Sequence, residues 1–482
     1  MRVLFVISTP SGIEPLGAML LAAICLREGH EVSCAISRRG GLLEKARAFD
    51  PDVVAYSASS ADMDHLREAD RPLREWLKAR GRRFLRIMGG PHPTFCPEVL
   101  DEMGLDAICQ GDGDEALPEV LRRWEAGESL EGIPNISLTA SDAPVKRLVE
   151  DLDALPFSDR GIYYELVPYA RSSGLRSMHT SRGCPYKCTY CFNHVYNRKF
   201  EGAGRLLRRR SVENVLAEVE QVVRDFPPVR LIRFSDDVFV IKADAWIREF
   251  AEKYPRRIGL PFYCLMRSNT LTEETAALLA KAGCQAIGMS IEAGGERVRN
   301  KILMRNLSDG QIARSFALAK KHGIRTYATT MVGIPGTTVR DDFESLEFAR
   351  KISPTAPAFA IASPYKGTAM WDAAVRDGHI APESSPTSRL TGMSEVTCFT
   401  PREKKLHLRI SALGPLYVTM PAPFHHAVRA LIRWPLPVPN AMLRLFQISY
   451  YSYRLATRIF PQAIPRSPVA LARAVLDNLR HL

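Results

Sequence analysis

Residues 179–193 read HTSRGCPYKCTYCFN, and Cys184, Cys188 and Cys191 stand in a CxxxCxxC spacing directly after a β-like run at 174–180. Thiolates set this closely share one centre, and soft thiolate ligands select zinc, Cu(I) or iron–sulfur clusters. Structural zinc takes four protein ligands, and no second CxxC lies nearby. Three cysteines suit a [4Fe–4S] cluster in which they hold three irons and leave the fourth open to a small molecule. A zinc site completed by His194, or reduced thiols carrying no metal, are the other readings of these residues.

With Tyr190 directly before the third cysteine and Arg182-Gly183 before the first, the stretch resembles the radical SAM superfamily. The resemblance implies that the open iron chelates the amino and carboxylate groups of S-adenosylmethionine (SAM). It also implies that reduction splits the sulfonium to a 5′-deoxyadenosyl radical. It names a reaction type, not a substrate.

Toward the N-terminus, residues 1–126 alternate short apolar runs with helical patterns. Strands are predicted at 3–7, 32–36, 53–57, 84–88 and 107–109, and helices at 16–28, 42–49, 64–80 and 115–124. That alternation implies βαβ units and a doubly wound, Rossmann-like parallel sheet, whose ligands bind at the carboxyl ends of the strands. Those ends carry Ser8-Thr9-Pro10, Ser57-Ala58-Ser59-Ser60, Gly89-Gly90-Pro91-His92-Pro93 and Gly111-Asp112-Gly113-Asp114-Glu115. All are small or polar, which permits close backbone approach to a ligand. No GxGxxG follows the first strand, which argues against a dinucleotide. A large flat cofactor across the strand ends fits better; ordinary βα turns of like composition are the alternative.

GGPHPTFCPEVL at 89–100 and ICQGDGDEAL at 108–117 resemble the cobalamin-binding domain that precedes the radical SAM core in one large class. That pattern usually carries GEGE where this chain has Gly111-Asp112-Gly113-Asp114, a change that keeps the charge. The DxHxxG motif is absent, so the resemblance implies a cobalt without a protein histidine ligand. His92, in a proline-flanked turn, reads as a loop hydrogen-bonder and not as a cobalt ligand. The implied cobalamin contacts are Ser8, Thr9, Ser57, Ser59, Ser60, Gly89, Gly90, Pro91, His92, Gly111, Gly113 and Glu115.

Residues 127–173 are interrupted by Gly132, Pro134, Pro144, Pro156, Ser158 and Pro168 and read as a linker, with 151–157 packing across the interdomain surface. Beyond it strands recur at 175–180, 231–235, 262–265, 286–290, 326–332 and 358–363, with helices at 212–224, 244–253, 272–282, 310–322 and 339–351. Ser211 and Thr272 suit helix N-caps, and Gly283 and Gly323 suit helix stops. Residues 174–365 thus predict a partial (β/α)6 TIM-like barrel with its active groups at the strand C-termini.

The first of those ends carries the cysteine loop. The next carries Asp236-Asp237, either of which can accept from an ammonium group, and the third carries Arg267, a partner for a carboxylate. Ser290 and Glu292, spaced i, i+2 on one side of a strand, suit ribose hydroxyls. Gly333-Ile334-Pro335-Gly336 is a turn whose backbone can approach an adenine edge. Singly, each reads equally as a solvated turn or a salt bridge. On the resemblance, Tyr190 and these groups contact SAM.

Residues 366–482 form the C-terminal region. Around its start the chain is loop-rich, with Tyr365, Trp371, Thr387 and Thr391 as pocket-lining candidates. Helical patterns follow at 404–413, 424–432, 441–460 and 468–479, broken by WPLPVP at 434–439. The pattern from 441 is basic, apolar and aromatic-rimmed, so it can cap the open side of the barrel or lie on a membrane surface. Net charge is +12, and residues 421–482 hold eight arginines against one acid, Asp477. Such a tail can meet nucleic acid or anionic lipid, or form a solvated face. Without interleaved aromatic and basic RNA-reading motifs, no nucleic acid partner is expected.

Ten scattered cysteines argue for a reducing cytoplasm, and neither a signal peptide nor an apolar span of about 20 residues is present. The expected location is cytoplasmic, with peripheral membrane contact the one variation. Over roughly residues 1–400 the resemblance implies a cobalamin-dependent radical SAM enzyme with a [4Fe–4S] cluster, SAM and cobalamin. It implies methylation of an unactivated carbon, or phosphorus, of a secondary metabolite or lipid-like substrate, with an external flavodoxin- or ferredoxin-type electron donor. The same architecture serves ring closure or oxidation without methyl transfer, as in anaerobic tetrapyrrole cyclases. Outside enzymes, a cobalamin- or zinc-binding interaction module is the rival reading.

Overall fold

A computed structural model describes residues 1–7, 14–382, 394–434 and 438–463. Ser8, Thr9, Thr387, Thr391 and the helix expected at 468–479 lie outside them.

The first sheet contains β1 (Arg2–Ile7), β2 (Glu31–Ile36), β3 (Val53–Ser57), β4 (Leu85–Gly89), β5 (Ala107–Cys109) and β6 (Ile136–Ser137), in the order β2-β1-β3-β4-β5-β6. Five strands pair in parallel and β6 joins antiparallel at the edge. The strands are mostly apolar because helices cover both faces, with Met19, Ala22 and Val120 on one side and Leu66, Leu73 and Leu77 on the other. The order places a switch point between β1 and β3, where such sheets open a crevice.

Residues 127–173 do more than connect. They supply β6, and Leu130, Ile133, Tyr163, Tyr164, Val167 and Ala170 are buried in the first domain's core. Arg160, fully buried, donates to the Glu14 carboxylate and to the Ser177 carbonyl, tying the first domain to the barrel's first strand.

The second sheet runs through β7 (Leu175–Met178); after it β8 (Ser181–Arg182) and β9 (Arg208–Arg209) form a separate ribbon beside the cysteine loop. β10 (Leu231–Phe234), β11 (Phe262–Met266), β12 (Cys284–Met289), β13 (Arg325–Val332) and β14 (Ala356–Ile361) complete a six-stranded parallel sheet in the order β14-β13-β12-β11-β10-β7. Helices Val212–Asp225, Ala245–Arg257, Glu273–Ala282, Asp309–Lys321 and Val339–Ile352 pack outside it as a partial TIM-like barrel. The Ser211 and Thr272 side chains accept from the Asn214 and Thr275 amides, as N-caps do, and Gly283 ends its helix in the left-handed region.

Two expectations need correction. β12 stops at Met289, and Glu292 lies beyond it at φ +62°, so the strand alternation that put Ser290 and Glu292 on one side does not reach them. The helix expected over 441–460 is broken: Asn440–Arg454 gives way to a wider turn at Leu455–Ile459. Short helices also form where loops were read, at Pro91–Phe95, Val99–Met103 and Ala369–Arg376.

The helix Pro401–Thr419 lies against β14, with Gly414 leaving room for the Phe359 ring where a Cβ would overlap it. Ile459 and Phe460 pack with Tyr263 and Ala286, and the Gln462 carbonyl accepts from Arg230, closing the N-terminal end of the barrel. Among the described residues no helix is long and apolar enough to cross a membrane.

Candidate active site

A cavity of about 810 Å³ separates the carboxyl ends of the two sheets. The first domain contributes Ser57, Gly89, Gly90, Pro91, Gly111 and Gly113, with Leu16, Leu20, Leu21 and Leu117 behind them. From the barrel come His179, Arg182, Gly183, Tyr190, Cys191, Asp236 and Asp237, while Leu152, Leu155 and Pro156 of the connecting segment close one side.

The cysteine loop is pinned from several directions. The Thr189 amide and hydroxyl donate to the Leu303 and Ile302 carbonyls, and the Asn197 side chain donates to the Cys184 carbonyl. Cys188 is buried, and Cys184 and Cys191 are partly exposed. Burial pushes the metal-free Cys191 thiol up to about 11, with Asp237 and the neighbouring thiols adding to the effect. Binding iron therefore has to displace protons. No three His, Cys, Asp or Glu side chains among the described residues converge on a single ion.

The adjacent acids have different work. Asp236, buried, accepts from the Thr180 amide at 2.8 Å and from the Ser181 amide and hydroxyl, so it shapes the approach to the cysteine loop. Asp237 faces the cavity, where the surrounding protein raises its pKa and the Asn193 side chain donates to it.

The remaining barrel groups stand behind the cavity wall. The Glu292 carboxylate accepts from the Tyr190 hydroxyl at 3.0 Å and lies 3.2 Å from the Arg305 guanidinium. Arg305 in turn donates to the Tyr190 hydroxyl and to the Ser290 carbonyl. Arg267 stacks on Tyr186 at 3.9 Å and donates to Asn269. In the turn at 333–336, the Gly333 amide donates to buried Asp342, Ile334 packs with Tyr190, Pro335 is buried and Gly336 is exposed. Glu292, Arg305 and Ile334 thus meet the cysteine loop through Tyr190, and Arg267 meets it through Tyr186.

On the first-domain side, Ser59, Ser60, His92 and Glu115 are not part of the cavity wall. Ser59 donates to Asp62, Glu115 pairs with Arg147, and His92 shares a hydrogen bond of 2.9 Å with Ser60. Burial, aided by Arg67, lowers the His92 pKa to about 4. Trp371 likewise packs away from the cavity with Ala374 and Ile380, whereas Tyr365 lines it.

A polar clamp joins the two halves. Arg182, two residues before Cys184, donates to both oxygens of Asp114 at 2.6 and 2.9 Å. Asp112 accepts from Arg208, from the Val149 amide and from the Tyr196 hydroxyl. Burial alone would raise Asp112, but Arg182 and Arg208 hold its carboxyl below the usual range. Gly111, at φ +97°, meets the Phe200 ring where a Cβ would overlap it. Phe95, Phe192 and Tyr365 stack in series from the first domain to the segment after β14. Sequence reading missed Arg208, Arg305, Phe200 and the pairing of Arg182, since their partners lie tens of residues away.

The cavity is broad, apolar at its back and glycine-edged at the first sheet, which fits a large, flat corrinoid. Residues 178–349 match the family profile of the Radical SAM superfamily, and residues 2–121 match that of the B12 binding domain. The chain belongs to the cobalamin-dependent radical SAM enzymes. Its cofactors are a [4Fe–4S] cluster, SAM and cobalamin. This cobalamin-dependent radical SAM enzyme is 26% identical over 380 residues to an uncharacterized methyltransferase of Pyrococcus horikoshii, covering 75% of this chain and 78% of that protein. It is 25% identical over 393 residues to the cytidylyl-2-hydroxyethylphosphonate methyltransferase of Streptomyces wedmorensis, covering 71% and 70%. Its fold matches the radical SAM methyltransferase TsrM of Kitasatospora setae, solved with tryptophan and a SAM analogue, with a TM-score of 0.68 at 17% identity over 100% of this chain and 99% of that one.

Proposed function

We propose that this enzyme methylates an unactivated carbon, or phosphorus, of a small or lipid-like molecule. The observation that carries the reading is the facing of Cys191 and Asp237 against Gly89, Gly90 and Gly111 across one cavity. Bound there, the cluster with SAM supplies a carbon-centred radical able to take hydrogen from a C–H bond, and cobalamin supplies a transferable methyl group.

Cys184, Cys188 and Cys191 would hold the three irons. Asp237, exposed at the cavity, is placed to accept from the SAM ammonium, while the Oδ1 atom of buried Asp236 is taken by loop amides. Gly111 and Gly113 offer an edge without side chains to the corrinoid. Leu152, Leu155 and Pro156 keep one side of the cavity dry. The methyltransferases to which the chain is similar support the transfer, and the phosphonate enzyme supports phosphorus as one acceptor class. We also propose an external flavodoxin- or ferredoxin-type electron donor and contact of the C-terminal region with a membrane surface.

Anaerobic reconstitution followed by product analysis tests this. Methyl transfer yields both S-adenosylhomocysteine and 5′-deoxyadenosine with a true substrate. 5′-Deoxyadenosine alone would point to ring closure or oxidation, and an iron-free protein that leaves SAM intact would refute the enzyme reading.

A further inference from the structure

We infer that the outer faces of the helices His425–Arg433 and Asn440–Arg454 form a docking surface for a bilayer containing anionic phospholipid. The inference rests on the membrane contact proposed above and names its surface and lipid class.

Each helix buries one narrow stripe, Val428 and Ile432 on the first and Leu443 and Gln447 on the second, and both pack on the helix Pro401–Thr419. The opposite side is apolar and open. Trp434 is 63% exposed and Met442 61% exposed, and Leu431, Leu445 and Phe446 are exposed with them. Met442, Leu445 and Phe446 fall at i, i+3 and i+4, so they project together. An apolar face of this extent on a folded protein marks an interaction site.

Charge selects the occupant. No Asp or Glu occurs from Lys404 to Ala463, and Arg429, Arg433, Arg444, Arg454 and Arg458 lie on this segment. The acid packed beneath them, Glu347, is already taken by Arg429, Arg350 and Tyr417. A second copy would bring like charge against like charge. Anionic lipid supplies an apolar layer for Met442, Leu445 and Phe446, a headgroup zone for Trp434, and phosphates for the exposed Arg433 and Arg458. None of these side chains lines the cofactor cavity.

The experiment is flotation of the reconstituted holoenzyme with vesicles of phosphatidylcholine alone or with one third phosphatidylglycerol. Binding to the mixed vesicles should be at least about tenfold tighter and should weaken in about 0.5 M salt. Met442→Ser/Leu445→Ser/Phe446→Ser should lose at least about tenfold in binding, and Arg433→Gln and Arg458→Gln about fivefold each. Circular dichroism checks the fold; should the triple variant misfold, the arginine variants decide. Absence of vesicle binding, unchanged binding by the variants, or a wild-type dimer dissolved by the triple variant without vesicle binding would overturn the proposal. Cleavage of SAM to 5′-deoxyadenosine, read in parallel and unaffected by these variants, reports separately on the proposed function.

Discussion

Replacing Asp112 with alanine strikes the clamp between the two halves. The Asp112 side chain is 9% exposed and Arg208 1% exposed, and apart from Asp112 the Arg208 guanidinium has the Val149 carbonyl at 2.9 Å. Arg182 keeps Asp114, so the variant strands one charge and not two. Breaking one partner of a buried pair costs about 3–5 kcal/mol, most of it the uncompensated charge. The orphaned Val149 amide adds about 1 kcal/mol. Asp112→Ala/Arg208→Met, which removes the stranded guanidinium, should recover more than half of that loss. Urea unfolding of the four proteins in the cycle, followed by tryptophan fluorescence and circular dichroism, gives the coupling. A loss below about 1 kcal/mol, or a double variant no more stable than Asp112→Ala, would refute the argument that this pair fastens the domains.

His92 makes stability depend on pH in a defined direction. Its folded pKa of about 4 lies below the unfolded value of about 6.5, so the unfolded chain takes up a proton first as pH falls. Stability should drop by up to about 3 kcal/mol between pH 6.5 and 4, and His92→Gln should flatten that slope in urea midpoints taken across the range. Asp112 acts in the same direction at lower pH: its lowered folded pKa gives stabilisation that is full above about pH 4 and lost below it, which acid titration of Asp112→Asn should reveal as a shallower limb. Asp237→Asn should weaken SAM in equilibrium dialysis at least about tenfold without moving the unfolding midpoint, whereas Asp236→Asn should cost about 1.5–3 kcal/mol of stability. Equal SAM affinity in both would remove Asp237 from the site. Cys188→Ala should bind less iron on reconstitution and form no 5′-deoxyadenosine; full iron content would contradict the ligand assignment.

Strands such as β3 and β5 coincide with the runs read at 53–57 and 107–109 because burial on both faces makes each of these two a short, nearly continuous apolar block. The cysteine loop was legible because its chemistry is packed into eight consecutive residues. Ala369–Arg376 was missed because a single eight-residue stripe gives little periodicity, although Thr368 caps it. Asp236 and Asp237 could not be separated, since both lie past the end of β10 at the cavity and only the fold buries Asp236 under the Thr180 and Ser181 amides while leaving Asp237 exposed. Glu292 was misplaced for a related reason: alternation was carried past the point where the strand stopped. Arg208 and Asp112 meet across 96 positions, beyond any local pattern.

The segment from 127 to 210 also bears on whether the two halves are interchangeable parts. It gives the first sheet an edge strand, covers it with Tyr163, Tyr164 and Val167, and delivers through Arg182 and Arg208 the counter-charges for Asp112 and Asp114. A first half cut after residue 126 would be left with bare apolar surface and two acids stripped of their arginines. Anyone grafting this half onto another barrel should cut after β9, inside the barrel's opening turn, and carry the cysteine loop along with it.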